Sequence, residues 1–132
     1  MELLVCGSRT YSNYRVMEQV IRQLNPDTII QGGASGADEL AITIAGKLGI
    51  FCETYEADWH RYGKRAGYLR NKRMLEHGEP DMVVAFYDKV KTKGTAMMVR
   101  LAEKAFVPVK EYGIGSTTKR ADTLAYEGEQ PA

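Results

Sequence analysis

A chain of 132 residues has the length of one domain and leaves little room for a second. With 44% hydrophobic and 27% charged residues, it has the composition of a folded globular protein and not of a disordered one. Lys and Arg number 18 against 17 Asp and Glu, so no global basic field points to nucleic acid, and any electrostatic function has to be local.

No apolar run approaches the roughly 18 residues of a membrane span, and Met1-Glu2-Leu3-Leu4-Val5 lacks the basic start and long apolar stretch of a signal peptide. A cytoplasmic protein without membrane contact is the expectation. Cys6 and Cys52 stand in separate apolar segments without CxxC spacing and read as free thiols. His60 and His77 show no HxxxH spacing, so neither a metal nor another cofactor is expected.

Leu3-Leu4-Val5-Cys6 reads as a buried strand that ends in the turn Gly7-Ser8-Arg9. Met17, Val20, Ile21 and Leu24 follow at helical spacing until Asn25-Pro26. Thr28 to Gln31 is a second strand, running into Gly32-Gly33. Ala37, Leu40, Ala41, Ile44, Ala45 and Leu48 form one apolar helical stripe closed by Gly49. Ile50 to Tyr55 predicts a third strand, residues 67 to 77 a weakly periodic helix, and Asp81 to Phe86 a fourth strand. Met98, Leu101, Ala102 and Ala105 restore helical spacing, and Val107-Pro108-Val109 predicts a last strand, placed at an edge by its proline.

Five strands alternating with four helices through short connections specify a Rossmann-like α/β three-layer sandwich: a five-stranded, mostly parallel sheet in the order 3-2-1-4-5 with helices on both faces. Residues 1–112 are expected to form this domain and 113–132 a polar, flexible tail. Ligands of such sheets bind beyond the carboxyl ends of the strands, where the strand order reverses.

The unusual residues fall at those ends. Gly7, Ser8 and Arg9 follow the first strand, and Arg9 has the fork geometry to hold a phosphate. Gly32, Gly33, Ala34, Ser35, Gly36 and Asp38 follow the second, in a segment with the chemistry of a phosphate cradle leading into a helix. A capping box of Ser35 and Asp38 would also explain the helix start, but a cap does not require three glycines in five residues. The spacing is GGxxG, neither a Walker loop nor a GxGxxG fingerprint. Gly94 and Thr95 open the helix after the fourth strand, with Thr95 either near an anion or acting as the N-cap. Between Arg61 and Arg73 stand six Lys and Arg and no acid, interleaved with Tyr62 and Tyr68 and preceded by Trp59. That stretch offers phosphate contacts and stacking rings, or simply a solvated face.

Taken together, GSR, QGGASGADELA, EADW, RAGYLRNKRML and KGTAMMV resemble the SLOG superfamily (SMF/DprA-LOG), with its YspA/YpsA-related branch the nearest pattern, over about residues 2 to 111. The resemblance implies a compact domain that binds a nucleotide or nucleotide derivative, often as a homodimer, with relatives in phages and bacterial defence systems. It places Arg65, Arg70 and Asn71 beside the loop residues as ligand contacts. The Lonely Guy phosphoribohydrolases of the superfamily imply an arginine near Arg70 and a GTxxE motif over Gly94 to Met98. Here Met98 replaces the carboxylate, and a thioether takes no proton.

Three functions follow as expectations. The first is a sensor or carrier that binds a nucleotide-like ligand at the sheet edge. The second is an N-glycosidic hydrolase of nucleoside monophosphates, with Asp58 or Asp38 as the substitute carboxylate and Arg70 beside it. The third, by analogy with the DNA-processing protein DprA, is single-stranded nucleic-acid binding through Arg61 to Arg73.

Overall fold

Residues 1–89 and 91–113 are described by a computed structural model of the chain. Of the polar tail expected over 113–132, residues 114–132 lie outside the described residues, while Gly113 ends the last strand. Strands β1 (Glu2–Gly7), β2 (Thr28–Gln31), β3 (Phe51–Thr54), β4 (Met82–Tyr87) and β5 (Val109–Gly113) form one sheet in the order β3-β2-β1-β4-β5. Every neighbouring pair runs parallel, with Leu4 beside both Ile30 and Val83 in the central register.

The unbroken apolar run of β1 is explained by burial on both sides. Leu3 and Val5 face a core completed by Met17, Val20 and Ile21 of α1 (Tyr14–Leu24) and by Ala41 and Ile44 of α2 (Ala37–Leu48). Leu4 and Cys6 face the opposite core, closed by Met74 of α4 (Ala66–Gly78) and by Met98, Val99 and Ala102 of α5 (Lys93–Lys104). Each fully buried Leu or Val contributes about 1.5–3 kcal/mol, so polar substitution at any of these strand positions would cost a large share of a small domain's stability.

The helix limits follow local chemistry. Asn13 caps α1 by accepting a hydrogen bond from the Val16 N–H at 3.2 Å, and Asn25 ends it in the left-handed conformation before Pro26. Gly49 closes α2 in the same way.

Three boundaries differ from expectation. β3 is shorter than 50–55, ending at Thr54. A fifth helix, α3 (Trp59–Tyr62), and a 3-10 turn at Gly63–Arg65 occupy a stretch without apolar periodicity. β5 begins at Val109 and not at Val107, because the N–H groups of Ala105, Phe106 and Val107 turn back onto the last carbonyls of α5. Its outer residues Lys110 and Glu111 hide the strand pattern, while Tyr112 stacks on Phe86 at 5.2 Å and anchors it.

Candidate functional site

The strand order reverses at β1, and two helices begin beside its carboxyl end. α2 starts after the loop from Gly32 to Gly36, and α5 starts after the connection that follows β4. Intrahelical bonding leaves the first-turn amides of a helix unpaired, so both starts favour negative charge.

The glycine-rich loop is held from inside. Gln31, fully buried at the end of β2, accepts a hydrogen bond from the Gly33 N–H at 2.6 Å and donates through Nε2 to Thr54 Oγ1 at 2.6 Å. Asp38, 8% exposed, accepts from the Ala34 N–H at 3.1 Å. The Ala37 N–H donates to the Ser8 carbonyl at 3.1 Å, tying the loop to the turn after β1. Several of the amides expected to cradle a phosphate are therefore taken up by the protein itself.

The capping box of Ser35 and Asp38, the alternative explanation of this helix start, is not formed. Gly36, with φ of 76°, occupies the cap position of α2 and makes no side-chain cap bond, while the exposed Ser35 precedes it. Nor is Thr95 the cap of α5. Thr92 Oγ1 accepts from the Thr95 N–H at 3.3 Å, and Thr95 is buried in the first turn.

Arg70 of α4 reaches across to this loop. Its Nη1 donates to the Gly32 carbonyl at 2.7 Å and its Nε to Asn71 Oδ1 at 2.8 Å. Gly32 is glycine because Arg70 lies against it, a Cβ there falling 2.3 Å from Nη1. Asn71 is itself buried, so Arg70 is oriented by a fixed partner.

A cavity of about 380 Å³ opens where these elements meet. Gly7, Arg9 and Thr10 from the β1 turn, Ala34 and Asp38 from the loop and α2, and Arg70 and Asn71 from α4 line one side. Lys93, Gly94, Thr95 and Met98 of α5 line the other, with Cys6 and Met74 as apolar floor. Arg9, Ala34 and Arg70 also belong to an adjoining cavity of about 280 Å³, bounded by Gly32, Gly33, Ser35, Glu56 and Trp59. The structure thus brings together most of the residues singled out from sequence. Ser8 is buried beside them, its Oγ 3.4 Å from Asp88 Oδ2, and Thr10 Oγ1 donates to the same carboxylate, which pins the turn carrying Arg9.

Asp58 and Arg65 line neither of these cavities. Asp58 is exposed and caps α3, its Oδ1 accepting from the Arg61 N–H at 3.1 Å. Arg65 is exposed in the 3-10 turn. Gln31 and Asp88 are site residues that sequence reasoning passed over, whereas Lys93 stands with Gly94 and Thr95 at the helix start already singled out. The one available signal was Gln31, a polar side chain ending an otherwise apolar strand. Among the described residues, no group of three or more His, Cys, Asp and Glu is arranged to hold a metal ion, and no helix is long and apolar enough to cross a membrane.

The charges of the cleft are coupled. Burial raises the Asp38 carboxyl above its ordinary value of 3.8, opposed by the Ala34 amide and the Arg70 guanidinium. Burial likewise lowers Arg70, opposed chiefly by Asp38, and the guanidinium stays charged at neutral pH. Burial pushes the Cys6 thiol up, keeping it protonated in the floor.

A pH dependence with a definite sign follows. Between the ordinary carboxyl value and the raised one, the folded state binds more protons at Asp38 than the unfolded state does. Asp38 therefore makes the protein more stable as the pH falls through its raised value, by about 1.4 kcal/mol for each tenfold difference in proton affinity. Asp38→Asn should lack this component. Urea midpoints of the two proteins from neutral pH down to about pH 4 should diverge in favour of the wild type, and parallel profiles would contradict the assignment.

Residues 1–62 match the family described as YspA, cpYpsA-related SLOG. Over 121 residues the chain is 31% identical to Gene 61 protein of Mycobacterium phage D29, an alignment covering 84% of this chain and 95% of that protein.

Proposed function

Because the chain belongs to the YspA, cpYpsA-related SLOG family, we propose that it binds a nucleotide or nucleotide-derived small molecule in the cleft at the carboxyl end of β1, as a sensor or carrier. The observation that carries this reading is the cavity of about 380 Å³ at the reversal of strand order, in which Arg9, Arg70 and Lys93 outnumber the single carboxylate of Asp38. The volume falls within the roughly 300–1,000 Å³ of small-molecule sites. The net positive lining and the start of α5 favour an anionic group such as phosphate. In this reading the phosphate lies between α5 and the two arginines. The glycine-rich loop, two of whose amides serve Asp38 and Gln31, acts to position Arg70. Cys6, Met74 and Met98 offer apolar surface to the remainder of the ligand.

The test is a thermal-shift screen against nucleoside monophosphates, ADP-ribose, cyclic nucleotides and dinucleotides. A ligand at a hundredfold excess over Kd adds about 2.7 kcal/mol to stability, which raises the midpoint of a domain this size by about 10 °C. A shift with at least one of these compounds is the expected result, and no shift with any of them would sink the reading. Chromatography of each hit after incubation separates binding from hydrolysis. Release of free base would assign the cleft to N-glycosidic cleavage. The carboxylate then on hand is Asp38, whose burial keeps its proton affinity high, and not the helix-capping Asp58.

A further inference from the structure

The corner built from α3, the 3-10 turn and the start of α4 contributes Trp59, Arg70 and Asn71 to the cleft, yet it carries the strongest local charge in the chain. From Trp59 to Leu75 there is no acidic residue. Arg61, Lys64 and Arg65 are exposed, and among the described residues none of them forms an ion pair. Lys72, farther along α4, is instead paired with Glu76. The acids at the border are Glu56 and Asp58, the latter directed to its own helix amide.

Three large rings stand in the same corner and contribute little to the core. Trp59 is 52% exposed, Tyr62 43% and Tyr68 38%. Trp59 lies against Gly67, where even a Cβ would come within 3.4 Å of the ring, so α4 gives the indole a flat backing. The Arg61 guanidinium covers Tyr62 at 5.3 Å, and Lys72 covers Tyr68 at 5.9 Å.

Exposed rings interleaved with unpaired cations suit a partner that has both a repeating negative charge and flat unpaired faces. An acidic peptide would use the cations and leave the rings idle, and a nucleic-acid duplex keeps its base faces covered. We propose that this corner is a binding surface for single-stranded nucleic acid, with phosphates on Arg61, Lys64 and Arg65 and bases stacked on Trp59, Tyr62 and Tyr68. The surface borders the nucleotide cleft at Trp59 but does not depend on it, since Arg61, Tyr62, Lys64 and Arg65 line neither cavity of that cleft.

Trp59 is the only tryptophan of the chain, so its emission reports stacking directly. The experiment titrates the full chain into a labelled single-stranded oligothymidylate and into a duplex of equal length, following label anisotropy and Trp59 emission at 50 and 200 mM salt. Neutralising about three phosphates gives a slope near −0.7 per contact, so affinity for the single strand should fall about twentyfold across that salt range. Emission should be quenched, and the duplex should bind more weakly. Tyr62→Ala should weaken single-strand binding about tenfold, and Arg61→Glu with Lys64→Glu more than that, while the melting temperature and the thermal shift given by a mononucleotide stay as in the wild type. The proposal is overturned by no binding at about 0.1 mM protein, the weak end of non-specific affinities. Equal affinity for the duplex overturns it as well. So does salt-dependent binding that leaves Trp59 emission and the Tyr62→Ala affinity unchanged, because that pattern marks a general polyanion surface.

Discussion

Arg70→Met should lower the affinity for whichever nucleotide the thermal-shift screen identifies by about 100-fold or more. Methionine keeps most of the side-chain volume and removes the charge together with all of the donors. Arg70 lies on the wall of both adjoining cavities, and its Nη1 and Nε are held by the Gly32 carbonyl and Asn71. Among the described residues its Nη2 makes no hydrogen bond, which leaves one face of the guanidinium for a ligand anion. Truncating one partner of a desolvated charged pair typically costs about 2–5 kcal/mol of binding, and a factor of 100 corresponds to about 2.7. The same change withdraws the positive charge that opposes the burial of Asp38, so the carboxyl should rise further. Arg70→Lys keeps the charge without the fork and should recover part of the loss. Isothermal titration of the three proteins decides the matter, with the melting temperature of each ligand-free variant as the control for folding. Unchanged affinity in Arg70→Met would place the anion elsewhere.

The sheet was legible because its central strands carry their signal in the chain itself. Leu3-Leu4-Val5-Cys6 is apolar throughout since both faces are covered, and a strand of that kind requires helices on either side. β5 was legible only in part. An edge strand exposes one side, so Lys110 and Glu111 break its apolar run, and its start depends on where α5 stops turning its carbonyls back. α3 left no trace in periodicity because four residues make barely one turn and bury none of their side chains. At the site, residue types were readable and the direction of their hydrogen bonds was not. Three glycines in GGASG suggested amides open to a phosphate, whereas Gln31 and Asp38 draw the Gly33 and Ala34 amides inward. Nothing in the local sequence distinguishes the two arrangements. The difference arises from Gln31 being sealed under β3 and from Asp38 entering the cleft at the first turn of α2, both consequences of tertiary packing.

That inward loop depends on Gly36 more than on any other of its glycines, and substitution there should be the most damaging in the loop. Gly36 has φ of 76° and ψ of −122°, a region that a residue with a side chain enters only at a cost of about 1–3 kcal/mol. A Cβ at this position would lie 2.4 Å from the Ser8 carbonyl oxygen and 2.4 Å from the Arg9 carbonyl group, all backbone atoms that cannot rotate away. To relieve the contact the β1 turn must move off the start of α2. That movement breaks the bond from the Ala37 N–H to the Ser8 carbonyl and shifts Arg9. Gly36→Ala should therefore destabilise the protein by about 3 kcal/mol or more, adding the strain to the lost hydrogen bond. It should also remove nucleotide affinity through the displaced Arg9. Gly46, in the same helix, is the internal comparison: a Cβ there meets nothing within 4 Å, so Gly46→Ala should stabilise by about 0.5–1 kcal/mol through helix propensity. Chemical denaturation of the two variants beside the wild type should move the midpoint in opposite directions. If Gly36→Ala unfolds at the wild-type midpoint, the close approach of the two loops is not what holds the cleft in shape.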